Sequence, residues 1–120
     1  MRNVTAVLFA FSVGLFIMIT EGAAQFNGCW VKVFESGNFR GDRDLIPGGR
    51  RYRNMRNLPN SRKGDWGDEI GSLIMGPRAT GTFYEDENFS DNRMSALRGQ
   101  RWNRLGNFDD QIDSMIINCH

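Results

Sequence analysis

The sequence predicts an all-β sandwich, and three observations predict it. Short strand-like runs are bounded by Gly, Asn, Asp and Pro, no stretch of the mature chain shows helical periodicity, and one pair of sequence elements occurs twice in the same order. The repeat weighs most, because it fixes architecture. Its first element, Phe34-Glu35-Ser36-Gly37-Asn38-Phe39-Arg40-Gly41-Asp42-Arg43, recurs fifty positions on as Tyr84-Glu85-Asp86-Glu87-Asn88-Phe89-Ser90-Asp91-Asn92-Arg93. The second, Trp66 to Ile74, recurs forty-two positions on as Phe108 to Ile116. The first copy is therefore eight residues longer between its two elements, and the extra length falls across the Arg-rich stretch from Pro47 to Lys63.

Taken in order, the chain starts with Arg2, an uncharged run from Val4 to Ile19, and the small residues Gly22, Ala23 and Ala24. A basic start, an apolar core of roughly 7 to 15 residues and small residues before a cut describe a secretory leader. The run is short for a membrane anchor, which needs about 20. Residues 1–24 are thus expected to be removed, leaving 25–120 as one domain without a membrane span. In that domain Cys29 to Phe34 alternates, with Val31 and Val33 on one face and Trp30, Lys32 and Phe34 on the other. Leu73 to Met75, Thr80 to Tyr84 and Met115 to Ile117 are similar short β-prone runs. Only Leu58 to Trp66 or Arg93 to Arg98 is long enough for a turn or two of helix.

Composition removes several kinds of chemistry. Setting aside Arg2 and Glu21, fourteen basic residues face thirteen acidic ones, so net charge names no nucleic-acid partner. The only histidine is His120, which excludes triads and zinc sites built on several imidazoles. Catalysis by carboxylates alone stays open on composition, and a Cys119-His120 pair at the chain end is poorly supported as a catalytic unit. Behind a secretory leader, the two cysteines Cys29 and Cys119 read as a disulfide. Closing so long a loop is worth about 4 to 5 kcal/mol on the chain-entropy model.

The first repeated element has the character of a folded-over hairpin. Aromatics five apart, Phe34 with Phe39 and Tyr84 with Phe89, pack on each other if the chain between them turns tightly. Gly41 supplies a backbone conformation that other residues avoid, and Asp91, its counterpart, tolerates that conformation better than most. Ser72 and Ser114 each precede an apolar strand, placed to hydrogen-bond a neighbouring turn.

Two copies of an aromatic, four residues, an aromatic, one residue and Gly, each followed by an acidic stretch ending in Ser, resemble the βγ-crystallin superfamily, in its microbial and invertebrate members. The resemblance covers Trp30 to Asn118. It implies one sandwich of two interlocked four-stranded Greek keys, with motif one at about 29–77 and motif two at about 78–120. In such members the acidic stretch binds calcium at two sites, which suits a hard cation seeking six to eight oxygens. The resemblance implies that each site combines both stretches with a hairpin, near Glu35 or Glu85. Residues 109–114, Asp109-Asp110-Gln111-Ile112-Asp113-Ser114, keep oxygen donors, whereas 67–72, Gly67-Asp68-Glu69-Ile70-Gly71-Ser72, lose them at Gly67 and Gly71. One site would pair Asp68 or Glu69 with Asp113, and the other Asp109 or Asp110 with the bare Gly71. At most one calcium site of practical affinity is expected, and the alternative is that both stretches are plain Asp-rich turns.

Arg50, Arg51, Arg53 and Arg56 offer guanidinium forks to sulfate, phosphate or carboxylate groups. The alternative is a solvated loop whose arginines lie against Asp42, Asp44 or other acids. Asn88-Phe89-Ser90 is a formal glycosylation sequon in a tight turn, a setting that disfavours its use. The functional reading is a secreted, non-enzymatic domain, structural or calcium-binding, monomeric or weakly dimeric, with an unidentified extracellular partner and no nucleic acid. The alternatives are a protease inhibitor or defence protein using basic residues between Arg50 and Arg62, or a binder of anionic glycans through that loop.

Overall fold

The computed structural model describes residues 25–59 and 61–120. The expected leader lies outside the described residues. Eight strands follow in order: β1 (Trp30–Ser36), β2 (Arg40–Pro47), β3 (Arg50–Tyr52), β4 (Ser72–Met75), β5 (Ala79–Asp86), β6 (Ser90–Ala96), β7 (Arg101–Trp102) and β8 (Ser114–Cys119). They form two four-stranded sheets with the orders β2-β1-β4-β7 and β3-β8-β5-β6. The short strands are exchanged: β3 leaves the first half to pair with β8, and β7 leaves the second half to pair with β4. This is the interlocked all-β sandwich that the resemblance implies.

Alternation along the strands makes the core. Val31, Val33, Ile46, Leu73 and Met75 face inward from the first sheet, and Ala79, Phe83, Met115 and Ile117 from the second. Trp66, Ile70 and Ile112 are also fully buried. Each large apolar side chain so buried stabilises by about 1.5 to 3 kcal/mol relative to exposure. The Cys29–Cys119 disulfide joins the outer ends of the two repeats.

Both hairpins fold over their own sheets. Phe34 and Phe39 stack edge-on with ring centroids 5.5 Å apart, and Tyr84 and Phe89 do so at 5.8 Å. Between them the chain passes through the left-handed region at Asn38, Phe39, Asn88 and Phe89, with φ of 58°, 60°, 59° and 59°. Gly41 and Asp91 also have positive φ, 84° and 70°. A fully buried serine clasps each turn. The Ser72 hydroxyl donates to the Ser36 carbonyl (2.6 Å) and accepts from the Phe39 N–H (3.0 Å). Ser114 donates to the Asp86 carbonyl (2.5 Å) and accepts from the Phe89 N–H (3.0 Å).

Two expectations change. Neither suggested helix forms among the described residues: Arg93 lies in β6, and the described residues between Leu58 and Trp66 form no regular element. Isolated one- or two-turn helices are too costly to nucleate without a buried face. The extra length also sits later than Pro47 to Lys63 suggests. Arg50 and Arg51 belong to β3, whose counterpart is β7, so the longer connection runs from Arg53 to Asp65. It is anchored by core residues of its own, Met55 and Leu58.

Ser72→Ala and Ser114→Ala are each expected to lower the unfolding free energy by about 1 to 3 kcal/mol, by leaving buried backbone groups unpaired. Denaturant titration measures this, and unchanged midpoints in both variants would show that the clasp contributes nothing.

Candidate functional site

The two acidic stretches cross each other at one end of the sandwich, held by backbone bonds. Asp68 and Asp110, the second residues of their stretches, both have positive φ (55° and 57°). The Asp68 N–H donates to the Ile112 carbonyl (3.3 Å) and the Asp110 N–H to the Ile70 carbonyl (3.0 Å). One step further on, the Asp113 N–H donates to the Tyr84 carbonyl and the Gly71 N–H to the Phe34 carbonyl. Each stretch is thereby tied to the other and to a hairpin.

The long connection adds a cation to each of two acidic groups. Met55 donates its N–H to the Asp113 carbonyl (2.9 Å) and accepts from the Trp66 N–H (2.7 Å). The short 3₁₀ turn Met55–Asn57 is capped by Asn54, which accepts from the Arg56 N–H. From that turn Arg56 reaches the carboxylates: Nη2 is 3.0 Å from Asp68 Oδ2 and 3.6 Å from Asp113 Oδ2, and Nε is 4.0 Å from Glu87 Oε2. Its side chain lies across Gly67, where a Cβ would stand 2.4 Å from Arg56 Cγ. Asp113 is buried, and its Oδ1 has no hydrogen-bond partner among the described residues. Burial, then the nearby Asp68 charge, pushes its pKa above the usual carboxylate value, and Arg56 and the Asp68 backbone offset this only in part.

Further along the connection, Asp44 accepts from the Arg62 N–H (2.8 Å), the Lys63 N–H (3.0 Å) and Trp66 Nε1 (2.7 Å). That fixes Lys63 over the Trp66 ring, its Nζ 4.5 Å from the centroid. The ammonium pairs with Glu35 Oε2 (2.8 Å) and with Glu69. Burial lowers the Lys63 pKa, but the hydrogen bonds and charges of Glu35 and Glu69 outweigh it, so the net shift is upward.

The structure thus brings Asp68 together with Asp113, and Glu35 together with Glu69. Glu85 stands apart from both groups and accepts from Asn92 (3.2 Å). Asp109 and Gly71 line one groove with Arg40 and Arg104. A Cβ at Gly71 would lie 2.7 Å from the Ser36 backbone, so close approach of the hairpin requires glycine there. Asp110 is exposed, its pKa raised by partial burial and then by Asp109. Among the described residues no three Asp, Glu, His or Cys side chains converge as a metal-binding group. As the chain stands the donor set does not fit calcium, because a guanidinium and an ammonium stand against the carboxylates. Lys63 and Glu87 are not legible in the sequence as members of these groups; Arg56 answers to the alternative in which the loop's arginines lie against the chain's own acids, although its partners are Asp68, Asp113 and Glu87 rather than Asp42 or Asp44.

The other arginines divide. Arg50 and Arg51 are exposed on β3, with Arg51 stacked 4.7 Å from the Phe89 ring centroid. They share a shallow groove with Arg53. Tyr52 is buried, its hydroxyl donating to the Pro47 carbonyl at 2.6 Å, and so offers no stacking platform. Arg62 meets Asp42 at 3.6 Å.

No protein-family model and no curated protein matches this sequence. Solved structures do match in shape. One, from work on the evolution of the eye-lens βγ-crystallin domain fold, superposes with a TM-score of 0.68 at 22% identity, over 78% of this chain and 88% of that one. The N-terminal domain of protein S gives 0.65 at 19% identity, over 75% and 96%. A βγ-crystallin domain from Flavobacterium johnsoniae gives 0.63 at 21% identity, over 75% and 94%. The chain has the βγ-crystallin fold.

Asp113 should leave a signature in acid. With its folded-state pKa above the ordinary 3.8, the native state binds that proton more tightly than the unfolded chain does. The residue therefore adds stability as pH falls from neutral through its folded value towards 3.8, and withdraws it as pH rises. In thermal melts the Tm of Asp113→Asn minus that of the parent should be highest at neutral pH and shrink in acid. A difference independent of pH would remove the buried-carboxylate assignment.

Proposed function

We propose that this chain is a member of the βγ-crystallin superfamily working as a non-enzymatic extracellular structural domain, which neutralises its calcium-type acidic stretches with its own cations. The observation that carries this reading is the paired placement of Arg56 against Asp68, Asp113 and Glu87 and of Lys63 against Glu35 and Glu69. A calcium ion entering the Asp113 group would have to displace Arg56, and one entering the Glu35 group would have to displace a half-buried ammonium. Secretion is supported by the leader-like residues 1–24 and by the disulfide, which persists in oxidising compartments. Among the described residues no helix is long and apolar enough to cross a membrane.

With Arg56 removed, the Asp113 group is the one place left for calcium, with Asp113 among its ligands. Arg56→Ala should therefore gain a calcium response that the parent lacks. At calcium a hundredfold above Kd, a single native-state site adds about 2.7 kcal/mol, seen as a rise in Tm. Asp113→Ala in the Arg56→Ala background should abolish the rise. A parent that responds to calcium as strongly as Arg56→Ala would overturn the reading.

A further inference from the structure

We propose that the outer face of the first sheet binds a sulfated glycan chain. Lys32 on β1, Arg43 on β2 and Arg101 on β7 all belong to that face. Lys32 is in register with Leu45 on one side and Ile74 on the other, Ile74 with Arg101, and Arg43 with Phe34. Lys32 and Arg43 lie over the Phe34 ring, at 5.8 and 5.2 Å from its centroid, and Arg101 lies 4.7 Å from that of Phe39. The rings hold the charged heads in place, so less side-chain entropy remains to be lost when an anion binds at their outer side.

These cations have no carboxylate within 4.0 Å among the described residues, in contrast to Arg56, Arg62 and Lys63. The neighbouring acids are occupied elsewhere: Asp44 by the Arg62 and Lys63 N–H groups and Trp66, and Asp42 by Arg62. A groove of about 400 Å³ runs among Lys32, Arg43 and Arg101 over Leu45, Ile74 and Trp30, and it is also lined by Asp44, whose carboxylate is engaged by the Arg62 and Lys63 N–H groups and Trp66. Trp30 is 8% exposed, and its indole N–H has no partner among the described residues, an unmet donor beside the groove.

At the pseudo-equivalent positions of the second sheet Arg43 and Arg101 keep their charge as Arg93 and Arg51, but Lys32 becomes Thr82, Leu45 becomes Ser95 and Trp30 becomes Thr80, so Lys32 and the apolar floor distinguish the first sheet. Strands lie about 4.8 Å apart, so the cations spread over several strands, a span that suits repeated anionic groups along a polymer better than one small anion. Nucleic acid is disfavoured because the aromatic faces are already covered by cations and leave no platform for bases. Sulfated glycans share the oxidising compartment that the disulfide implies, and in that respect the proposal rests on the extracellular reading above.

The test is retention on heparin and titration with chondroitin sulfate. Lys32→Gln/Arg43→Gln/Arg101→Gln should weaken binding about tenfold or more. Arg50→Gln/Arg51→Gln/Arg53→Gln, with the same loss of charge, should bind as the parent does. Ile74→Asp sets a carboxylate between Lys32 and Arg101 without removing a cation, and should abolish retention while the far-ultraviolet circular dichroism is unchanged. No retention of the parent, equal weakening in both triple variants, or equal competition by a single-stranded oligonucleotide would overturn the proposal. None of these outcomes bears on the calcium response of Arg56→Ala, so the two readings fail separately.

Discussion

The clasp between a buried serine hydroxyl and the hairpin folded over it is the constraint on which the rest of the molecule depends. Each hairpin holds two consecutive residues, one a phenylalanine, in the left-handed region. Such a conformation costs about 1 to 2 kcal/mol per residue for ordinary side chains. It persists because Ser72 or Ser114 satisfies both a carbonyl and an N–H of the turn, while the edge-on aromatic pair fills the space beneath. The same serines begin β4 and β8, so closing the turn also sets the register of a central strand in each sheet.

Placement of the acidic stretches follows from that clasp. Asp113 and Gly71 immediately precede the two serines and bond to the hairpin carbonyls of Tyr84 and Phe34. Carboxylates are thereby concentrated where burial and mutual repulsion make them costly, and Asp113 shows the cost as a raised pKa. A hard cation is one remedy for such a cluster. This chain supplies another. Its longer connection carries Met55 and Leu58 into the core, and the rigidity so gained brings Arg56 and Lys63 to the acids. The bare Gly67 leaves room for the Arg56 stem, so an apparent loss of a ligand and a gain of a cation belong to one arrangement.

The repeat made the fold legible: an aromatic pair and a terminal serine recur in register, and Gly41 and its counterpart Asp91 share the positive φ of the turn, so local geometry is encoded directly. The inward strands β1, β4, β5 and β8 could be read from apolar alternation. The strands β2 and β6 could not, because their exposed first halves are polar and charged, and the sheet edge they form buries little. Acidic residues announced a site by position, as with Asp68 and Asp113. Their partners did not, since Arg56 and Lys63 approach through tertiary contacts set by Asn54, Asp44 and the core anchors. An arginine-rich stretch reads from sequence either as a surface for foreign anions or as a partner of the chain's own acids, and only the tertiary contacts name Asp68, Asp113 and Glu87 as the acids that Arg56 meets.

The central claim is that the chain's own cations occupy the place a metal would take. The most direct measurement is a crystal structure from crystals grown in excess calcium. The account predicts the Arg56 guanidinium on Asp68 and Asp113 and the Lys63 ammonium between Glu35 and Glu69, with no ion at either group. A calcium ion ligated by Asp113, with Arg56 swung into solvent, would contradict it.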